Sequence, residues 1–239
     1  MSQLHIHAHM GDIAPFVLLP GDPKRARFIA ETFFESPRLY SDHRGLLGYS
    51  GHYQGTPVSV QTTGMGCPSL AIVVEEIIRL GATTLIRVGT SGIISKRVEP
   101  GELIVATSAV PNDGTTRQYL RGDAYAPTAS FGVTRALVEA AEKAQEKVHT
   151  GIIQTEDAFY ATTLKDVAKL ESRGILAVEM EAAALFLLGA LRHVKTGCAL
   201  VASNYIGDAA FVSPDVLQKG VSKMIAITLE AACRLQEQT

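Results

Sequence analysis

The sequence has no tryptophan, little aromatic content and few cysteines. Aromatic residues make up 6% of the 239 positions, and the three cysteines are Cys67, Cys198 and Cys233. Their odd number and wide spacing exclude a disulfide framework and give no zinc-binding pattern. We therefore predict three buried, free thiols in a protein of the reducing cytoplasm.

An excess of charge is also missing, and so is a long apolar run. The 22 basic and 24 acidic residues give a formal net charge of −2, which argues against nucleic-acid or membrane partners. The longest strongly apolar stretch, 180–191, contains Glu181 and is too short to cross a bilayer. The N-terminus lacks a basic region followed by an apolar run, so we expect no secretory signal.

The content and order of the sequence predict one α/β domain over residues 1–239. Hydrophobic residues make up 46% of the chain, enough for one sizeable core, and no repeat or linker interrupts it. Strand patterns alternate with helix patterns, which favours a mixed, largely parallel central sheet flanked by helices. The predicted strands cover 16–21, 52–63 as a hairpin, 85–89, 102–106, 151–153, the apolar run 174–177 before Glu179, and 197–203. The predicted helices cover 23–34, 68–80, 131–144, 164–172, 182–191 and a C-terminal helix from 214.

Polar clusters follow several of these strands, at 21–23, 89–92, 179–181 and 203–204. Binding sites in such folds lie at the carboxyl ends of strands. Arg87 lies within an apolar strand, so it requires either an internal carboxylate or a ligand anion. Thr90 and the turn at Gly21 before a helix suit an oxyanion. Arg25 and Arg44 alone are more often solvated, but separated arginines with a hydroxyl suit free phosphate.

Two carboxylates, Glu179 and Glu181, lie between an apolar strand and an apolar helix. Unpaired acidic groups are costly in such a setting. We therefore predict that at least one of them contacts a polar group, either an arginine or a ligand.

A series of short motifs recurs in one order along the chain. They are His5-Ile6, Met10-Gly11-Asp12, Gly21-Asp22-Pro23, Arg44-Gly45, Thr63-Gly64-Met65-Gly66, Arg87-Val88-Gly89-Thr90, Asp157-Ala158-Phe159-Tyr160 and Val178-Glu179-Met180-Glu181-Ala182. Over essentially its full length the sequence closely resembles the nucleoside phosphorylases of the bacterial hexameric type, nearest to their purine-specific subgroup.

The resemblance implies phosphorolysis of purine nucleosides and a role for each matching residue. The implied phosphate-binding residues are Gly21, Arg25, Arg44, Arg87 and Thr90. The implied ribose-binding residues are His5, Met65, Met180 and Glu181. The implied base-binding residues are Ser91, Gly92, Phe159, Val178, Glu179 and Asn204. Of these, Asn204, Arg87 and Glu181 are the expected catalytic residues.

The resemblance also implies how copies of the chain assemble. His5 and Arg44 are expected to complete a neighbouring subunit's site, in a homo-oligomer that is a hexamer built as a trimer of dimers. Inorganic phosphate is a co-substrate, and neither a metal nor an organic cofactor is expected.

One residue departs from the family pattern. In the family an aspartate that follows a serine donates a proton or hydrogen bond to the leaving base, and a downstream arginine supports it. This chain has Ser203-Asn204 instead. Leu217 lies at or near the position of the arginine, and Lys219 is the closest cation. An amide donates hydrogen bonds but has no transferable proton. We therefore expect a preference for 6-oxopurines such as guanosine and inosine.

Several alternatives stay open at this point. A uridine phosphorylase carries a glutamine and an arginine after its Phe-Tyr pair, which residues 161–164 lack. A nucleoside hydrolase needs no phosphate clamp, and a nucleoside-binding protein needs no catalysis. Asn204 also suits a turn, and Glu179 suits a structural partner of an arginine. The alternating His5, His7 and His9 could bind a metal, but a solvated terminus is the ordinary expectation.

Overall fold

The computed structural model of the protein describes residues 3–208 and 212–237. Nine strands lie within these ranges: β1 Phe16–Leu19, β2 Glu35–Ser41, β3 Gly48–Tyr53, β4 Thr56–Gln61, β5 Thr84–Ile93, β6 Leu103–Asn112, β7 Val148–Glu156, β8 Ala177–Glu179 and β9 Lys195–Tyr205. The helices are α1 Pro23–Phe33, α2 Cys67–Arg79, α3 Gly114–Leu120, α4 Phe131–Lys143, α5 Leu164–Glu171, α6 Ala182–Arg192 and α7 Pro214–Glu237.

Local sequence signals account for many of the element boundaries. Asp22 caps α1 by accepting a hydrogen bond from the Lys24 backbone N–H at 2.8 Å, and Pro23 occupies the first turn, where no donor is needed. The β3–β4 hairpin turns at Gln54 and Gly55, which both have positive φ values. The helix predicted from Pro214 is confirmed as α7.

The strands form one mixed sheet whose order is β2-β3-β4-β1-β5-β8-β7-β6-β9. Strand β1 runs parallel to β4 and β5, β5 parallel to β9, and β7 parallel to both β6 and β8. The remaining pairings, β2–β3, β3–β4, β5–β8 and β6–β9, are antiparallel. Because β5 pairs with β9 as well as β8, the strands β5, β8, β7, β6 and β9 close on themselves.

Helices cover both faces of this sheet, as the alternating pattern predicts. One buried cluster joins α2 and α6 to the sheet, and the other joins α1, α4 and α7 to it. The long strand β5 runs between the two clusters. The predicted fold, a mixed sheet flanked by helices, is confirmed.

The structure differs from the sequence predictions in several places. Strand β5 continues four residues beyond 89, because β8 and β9 supply partners for its second half. Helix α3 was not predicted, since its seven residues are too short to show a periodic apolar face. Cys67 and Cys198 are buried free thiols, as predicted. Cys233 is also free but only half-buried, so the prediction of burial is wrong for this residue. No helix in the described ranges is long and apolar enough to span a membrane.

Candidate active site

An ion-pair cluster occupies the centre of the molecule, where β5 meets β8 and the start of α6. Arg87 Nε lies 2.7 Å from Glu179 Oε2, and Arg87 Nη2 lies 2.5 Å from Glu181 Oε2. Arg87 is only 5% exposed, and the two carboxylates are equally enclosed. The chain thus supplies the internal carboxylates that a buried guanidinium requires.

Glu179 is held entirely by groups of the protein. Its carboxylate accepts from the backbone N–H groups of Glu181 at 2.8 Å and Ala182 at 3.0 Å, and from Thr155 Oγ1 at 2.5 Å. These backbone groups open helix α6, where a negative charge is favoured by the helix dipole. This agrees with a structural role for Glu179, while the base contact stays a prediction.

Glu181 differs because it has fewer partners in the chain. Its Oε1 accepts from the Gly66 backbone N–H at 2.6 Å, and its Oε2 faces Arg87 without the angles of a hydrogen bond. Burial raises the pKa of Glu181 against the opposing effect of Arg87, and Glu179 raises it further. For Arg87, burial opposes the charge, but Glu181 and Glu179 raise its pKa above the ordinary value. Arg87 therefore stays charged. Glu181 can take a new partner because its Oε2 has no hydrogen bond within the described residues.

Arg25 supplies a second cation next to Arg87. Its Nη1 donates to the Val88 carbonyl at 3.2 Å, which brings the half-buried side chain beside β5. Burial lowers the pKa of Arg25, and repulsion from Arg87 lowers it further. Two neighbouring guanidinium groups of this kind favour an anion between them.

The Gly21 turn lies close to this pair of arginines. Leu19 is the register partner of Arg87, so the turn leaves the sheet directly beside it. A Cβ atom on Gly21 would lie 2.9 Å from the Gly64 carbonyl oxygen, which is backbone and cannot swing away. Thr90 is partly exposed on β5, three residues after Arg87. The structure thus brings together the predicted phosphate residues Gly21, Arg25, Arg87 and Thr90.

Arg44 lies on a different element from these four residues. It occupies the 3₁₀ turn His43–Gly45 with a φ of 57°, is exposed, and follows His43, whose ring stacks on His7 at 3.8 Å. An exposed arginine in a left-handed conformation is a feature that the sequence did not predict. Its contribution to phosphate binding stays a prediction.

Strand register aligns three of the predicted base-binding residues. Gly92 of β5 is paired with Val178 of β8 on one side and with Asn204 of β9 on the other. Ser91, the residue before Gly92, is 3% exposed, and its Oγ has no hydrogen-bond partner among the described residues. Phe159 follows strand β7 and is 59% exposed. An apolar ring this exposed is available to pack against a ligand or a partner chain.

The Asn204 side chain is bound to its own neighbourhood. Its Nδ2 donates to the Tyr205 carbonyl at 3.0 Å, and its Oδ1 lies 2.8 Å from Ser203 Oγ. The amide must release Tyr205 before it can contact a base. Lys219 is exposed on α7, and Leu217 is partly buried on the same helix.

The two predicted ribose-binding methionines lie in loops that border Glu181. Met65 is 82% exposed and precedes Gly66, whose N–H binds Glu181. Met180 is partly exposed, and its carbonyl accepts from Cys67 Sγ at 3.2 Å.

His5 lies at a distance from this cluster. Its Nδ1 lies 2.7 Å from Glu76 Oε1, and the Glu76 carboxylate also accepts from the backbone N–H groups of His5 and Ile6. The expectation of a solvated terminus is therefore wrong for residues 5 and 6. Glu76 lies ten residues along α2 from Gly66, about 15 Å at the helical rise. His5 is therefore bound about 15 Å along α2 from the backbone group that binds Glu181.

Cys67, Asp113 and Asp157 have ligand atoms within 4.8 Å of one another. Their chemistry does not favour a metal. Burial raises the pKa of the Cys67 thiol, and nearby Asp113 raises it further, whereas a metal would bind the thiolate. The two aspartates accept from the Thr116 and Gly114 backbone N–H groups and so cap α3.

Sequence reasoning missed several residues that hold the site together. Thr155 Oγ1 donates to Glu179 and accepts from the Ala183 N–H at 2.9 Å, and Gly66 binds Glu181. Thr155 lies two residues beyond the predicted strand 151–153, so the sequence carried no signal for its role. Nothing in the local sequence pointed to Gly66 as a partner of Glu181.

Comparison with known proteins agrees with this geometry. A family model described as the phosphorylase superfamily matches residues 15–233. Proteins called purine nucleoside phosphorylase DeoD-type from Bacillus cereus (strain B4264), Bacillus cytotoxicus and Bacillus mycoides (strain KBAB4) are each 41% identical over 230 residues. These alignments cover 96% of this chain and 98% of each relative. The chain belongs to the phosphorylase superfamily.

Proposed function

We propose that the protein catalyses phosphorolysis of purine nucleosides and deoxynucleosides, giving the free base and ribose or deoxyribose 1-phosphate. The observation that carries this proposal is the Arg87 cluster. Arg87 is close enough to a second cation, Arg25, to lower the pKa of Arg25, and it pairs with Glu181, whose Oε2 has no hydrogen-bond partner among the described residues. A phosphate and a sugar bound side by side need this arrangement of charge.

In this reaction a phosphate oxygen forms a bond to C1′ as the bond from C1′ to the base breaks. Phosphate held by Arg25, Arg87, Thr90 and the Gly21 turn is placed to attack, and its charge stabilises the cationic sugar. Glu181 turns from Arg87 to the ribose hydroxyls. No nucleophilic side chain is required, because phosphate is itself the nucleophile.

The electron pair of the broken bond leaves with the purine, which then takes up, through solvent, the proton that hydrogen phosphate gives up on becoming the sugar phosphate. Asn204 can donate a hydrogen bond to N7 and O6 of a 6-oxopurine through its NH₂ group, but it has no proton to transfer. A 6-amino group would oppose that NH₂. We propose a preference for guanosine and inosine over adenosine, which is modest because an amide can rotate.

A homo-oligomer completes the proposal. Gly66, which binds Glu181, and Glu76, which binds His5, are about 15 Å apart along α2, which supports a role for His5 in a neighbouring subunit's site. Exposed Arg44 is the second residue that we propose to reach into a neighbouring subunit's site. The assembly proposed is a hexamer of three dimers. We place the enzyme in the cytoplasm and expect it to need neither a metal nor an organic cofactor. Solution mass measurement tests the assembly, and fully active monomers would contradict it.

A single assay series tests the reaction. Base release is measured for inosine, guanosine, adenosine and uridine, with and without inorganic phosphate. We expect release to require phosphate, to exclude uridine and to be fastest with the 6-oxopurines. Release without phosphate would indicate a hydrolase, and uridine turnover would indicate a uridine phosphorylase. The Asn204→Asp variant should raise adenosine kcat/KM, and a wild-type advantage for adenosine would reject the base preference.

A further inference from the structure

Strand β9 carries an irregularity at the residue before Asn204. Ser91 is paired with Ala202, whereas the next residue, Gly92, is paired with Asn204. Ser203 is therefore an extra residue that has no partner on β5, which is a β-bulge. Bulges next to functional sites change the direction of neighbouring side chains. Here the bulge brings Asn204, rather than Ser203, opposite Gly92.

The Ser203 hydroxyl closes this bulge and also touches Asn204. Ser203 is 7% exposed, and its Oγ lies 2.9 Å from the Ser91 carbonyl oxygen and 2.8 Å from Asn204 Oδ1. Both neighbours are acceptors, but a serine hydroxyl has one hydrogen to donate. The single hydrogen is therefore shared between the sheet carbonyl and the amide oxygen, as a three-centre hydrogen bond.

The orientation of the Asn204 amide follows from its two partners. The Tyr205 carbonyl only accepts, so the NH₂ end must face it, at 3.0 Å. The amide oxygen is then the end that faces Ser203. When a base enters, we expect the amide to give up its bond to Tyr205, because Tyr205 is partly exposed whereas Ser203 is buried. An amide that keeps its oxygen on Ser203 turns its NH₂ toward the ligand.

We propose that Ser203 is a positioning residue that fixes the Asn204 amide with its NH₂ group toward the base, and thereby sets the preference for 6-oxopurines. This rests on the proposed function, in which Asn204 contacts the base. Ser203 itself does not need to touch the substrate. Its hydroxyl decides which end of the neighbouring amide the purine meets, and loss of the hydroxyl lets the amide rotate and accept from a 6-amino group.

The test is a double-mutant cycle read as the ratio of kcat/KM for inosine to that for adenosine. In Ser203→Ala the ratio should fall about five-fold, the effect of one ordinary hydrogen bond. In the Asn204→Ala background the same change at Ser203 should leave the ratio unaltered, because the amide is gone. Ser203→Thr keeps the hydroxyl and should restore the wild-type ratio. Ser222→Ala, which removes a hydroxyl bound to the Gln218 carbonyl in α7, is the matched control and should change nothing.

The outcomes separate this proposal from the proposed base contact. Equal losses with both nucleosides in Ser203→Ala would mean a purely structural role and would overturn the inference. An Asn204→Ala ratio equal to wild type would overturn the base contact and the inference with it. If Ser203→Ala does not fold, Ser203→Cys keeps the volume with a weak donor and should shift the ratio in the same direction. An unchanged ratio there would also overturn the inference.

Discussion

Substitution of Glu179 by glutamine separates a structural role from a base contact. The change keeps the size of the side chain, removes its charge and puts an NH₂ group where the carboxylate now receives donors from Thr155, Glu181 and Ala182. If the structural role is right, the protein loses stability. If Glu179 only contacts the base, the free energy of unfolding stays the same and the KM for the nucleoside rises.

The size of the loss follows from the contacts. Breaking a buried ion pair costs about 3–5 kcal/mol, and the lower end applies because Arg87 keeps Glu181. A loss of about 3 kcal/mol corresponds to a fall in Tm of about 6–12 °C for a chain of this length. The Tm is measured at one fixed protein concentration, because subunit association also changes it.

Glu75→Gln is the matched control for this experiment. Glu75 pairs with Arg192 at 2.7 Å, but the Arg192 side chain is 41% exposed. Exposed pairs contribute about 0–1 kcal/mol, so the control should barely change the Tm. A Glu179→Gln variant as stable as the Glu75→Gln variant would refute the structural role.

Two further predictions concern the Gly21 turn and a surface carboxylate. Gly21→Ala should raise the KM for phosphate at least about ten-fold, because the new Cβ would meet the Gly64 carbonyl oxygen. Gly132→Ala in helix α4 is the control: a Cβ there has no neighbour within 4 Å, so the variant should keep wild-type kinetics. Glu102 has its pKa lowered to about 2: burial opposes the shift, and the hydrogen bond from Lys147 is its largest lowering cause. Its stabilising contribution is present above about pH 4.5, the ordinary glutamate value, and is lost as the pH falls toward 2. Glu102→Gln should therefore be less stable than wild type at pH 7, by about 1 kcal/mol after allowance for solvent screening, and the difference should shrink in urea unfolding below pH 4. A phosphate KM unchanged by Gly21→Ala, or a Glu102→Gln difference that grows on acidification, would contradict these expectations.

The sequence predicted the fold better than it predicted the detail of the site. Alternating strand and helix patterns gave the mixed sheet and most element positions, because apolar periodicity is a local property. Strand β5 was predicted too short, since its second half is stabilised by β8 and β9 rather than by its own residues. Helix α3 was missed for lack of periodicity.

The candidate site shows the same division. The residue types at strand ends and the buried position of Arg87 were predictable, since an arginine within an apolar strand must meet a negative group. The sequence allows either a ligand or a carboxylate as the partner of Arg87, and the structure supplies two carboxylates. The binding of His5 to Glu76 was not predicted, because 71 residues separate them in the chain.

By itself, the sequence determined the fold class, the family motifs and the chemical groups available to the site. Only the tertiary structure decided which groups meet: Glu179 enclosed at the start of α6, Glu181 joined to Gly66 across 115 residues, and Ser203 displaced into a bulge beside Asn204. The physical reason is that strand register and strand closure set these contacts. A single extra residue in one strand changes which side chain faces the site, and no local pattern in the sequence records that shift.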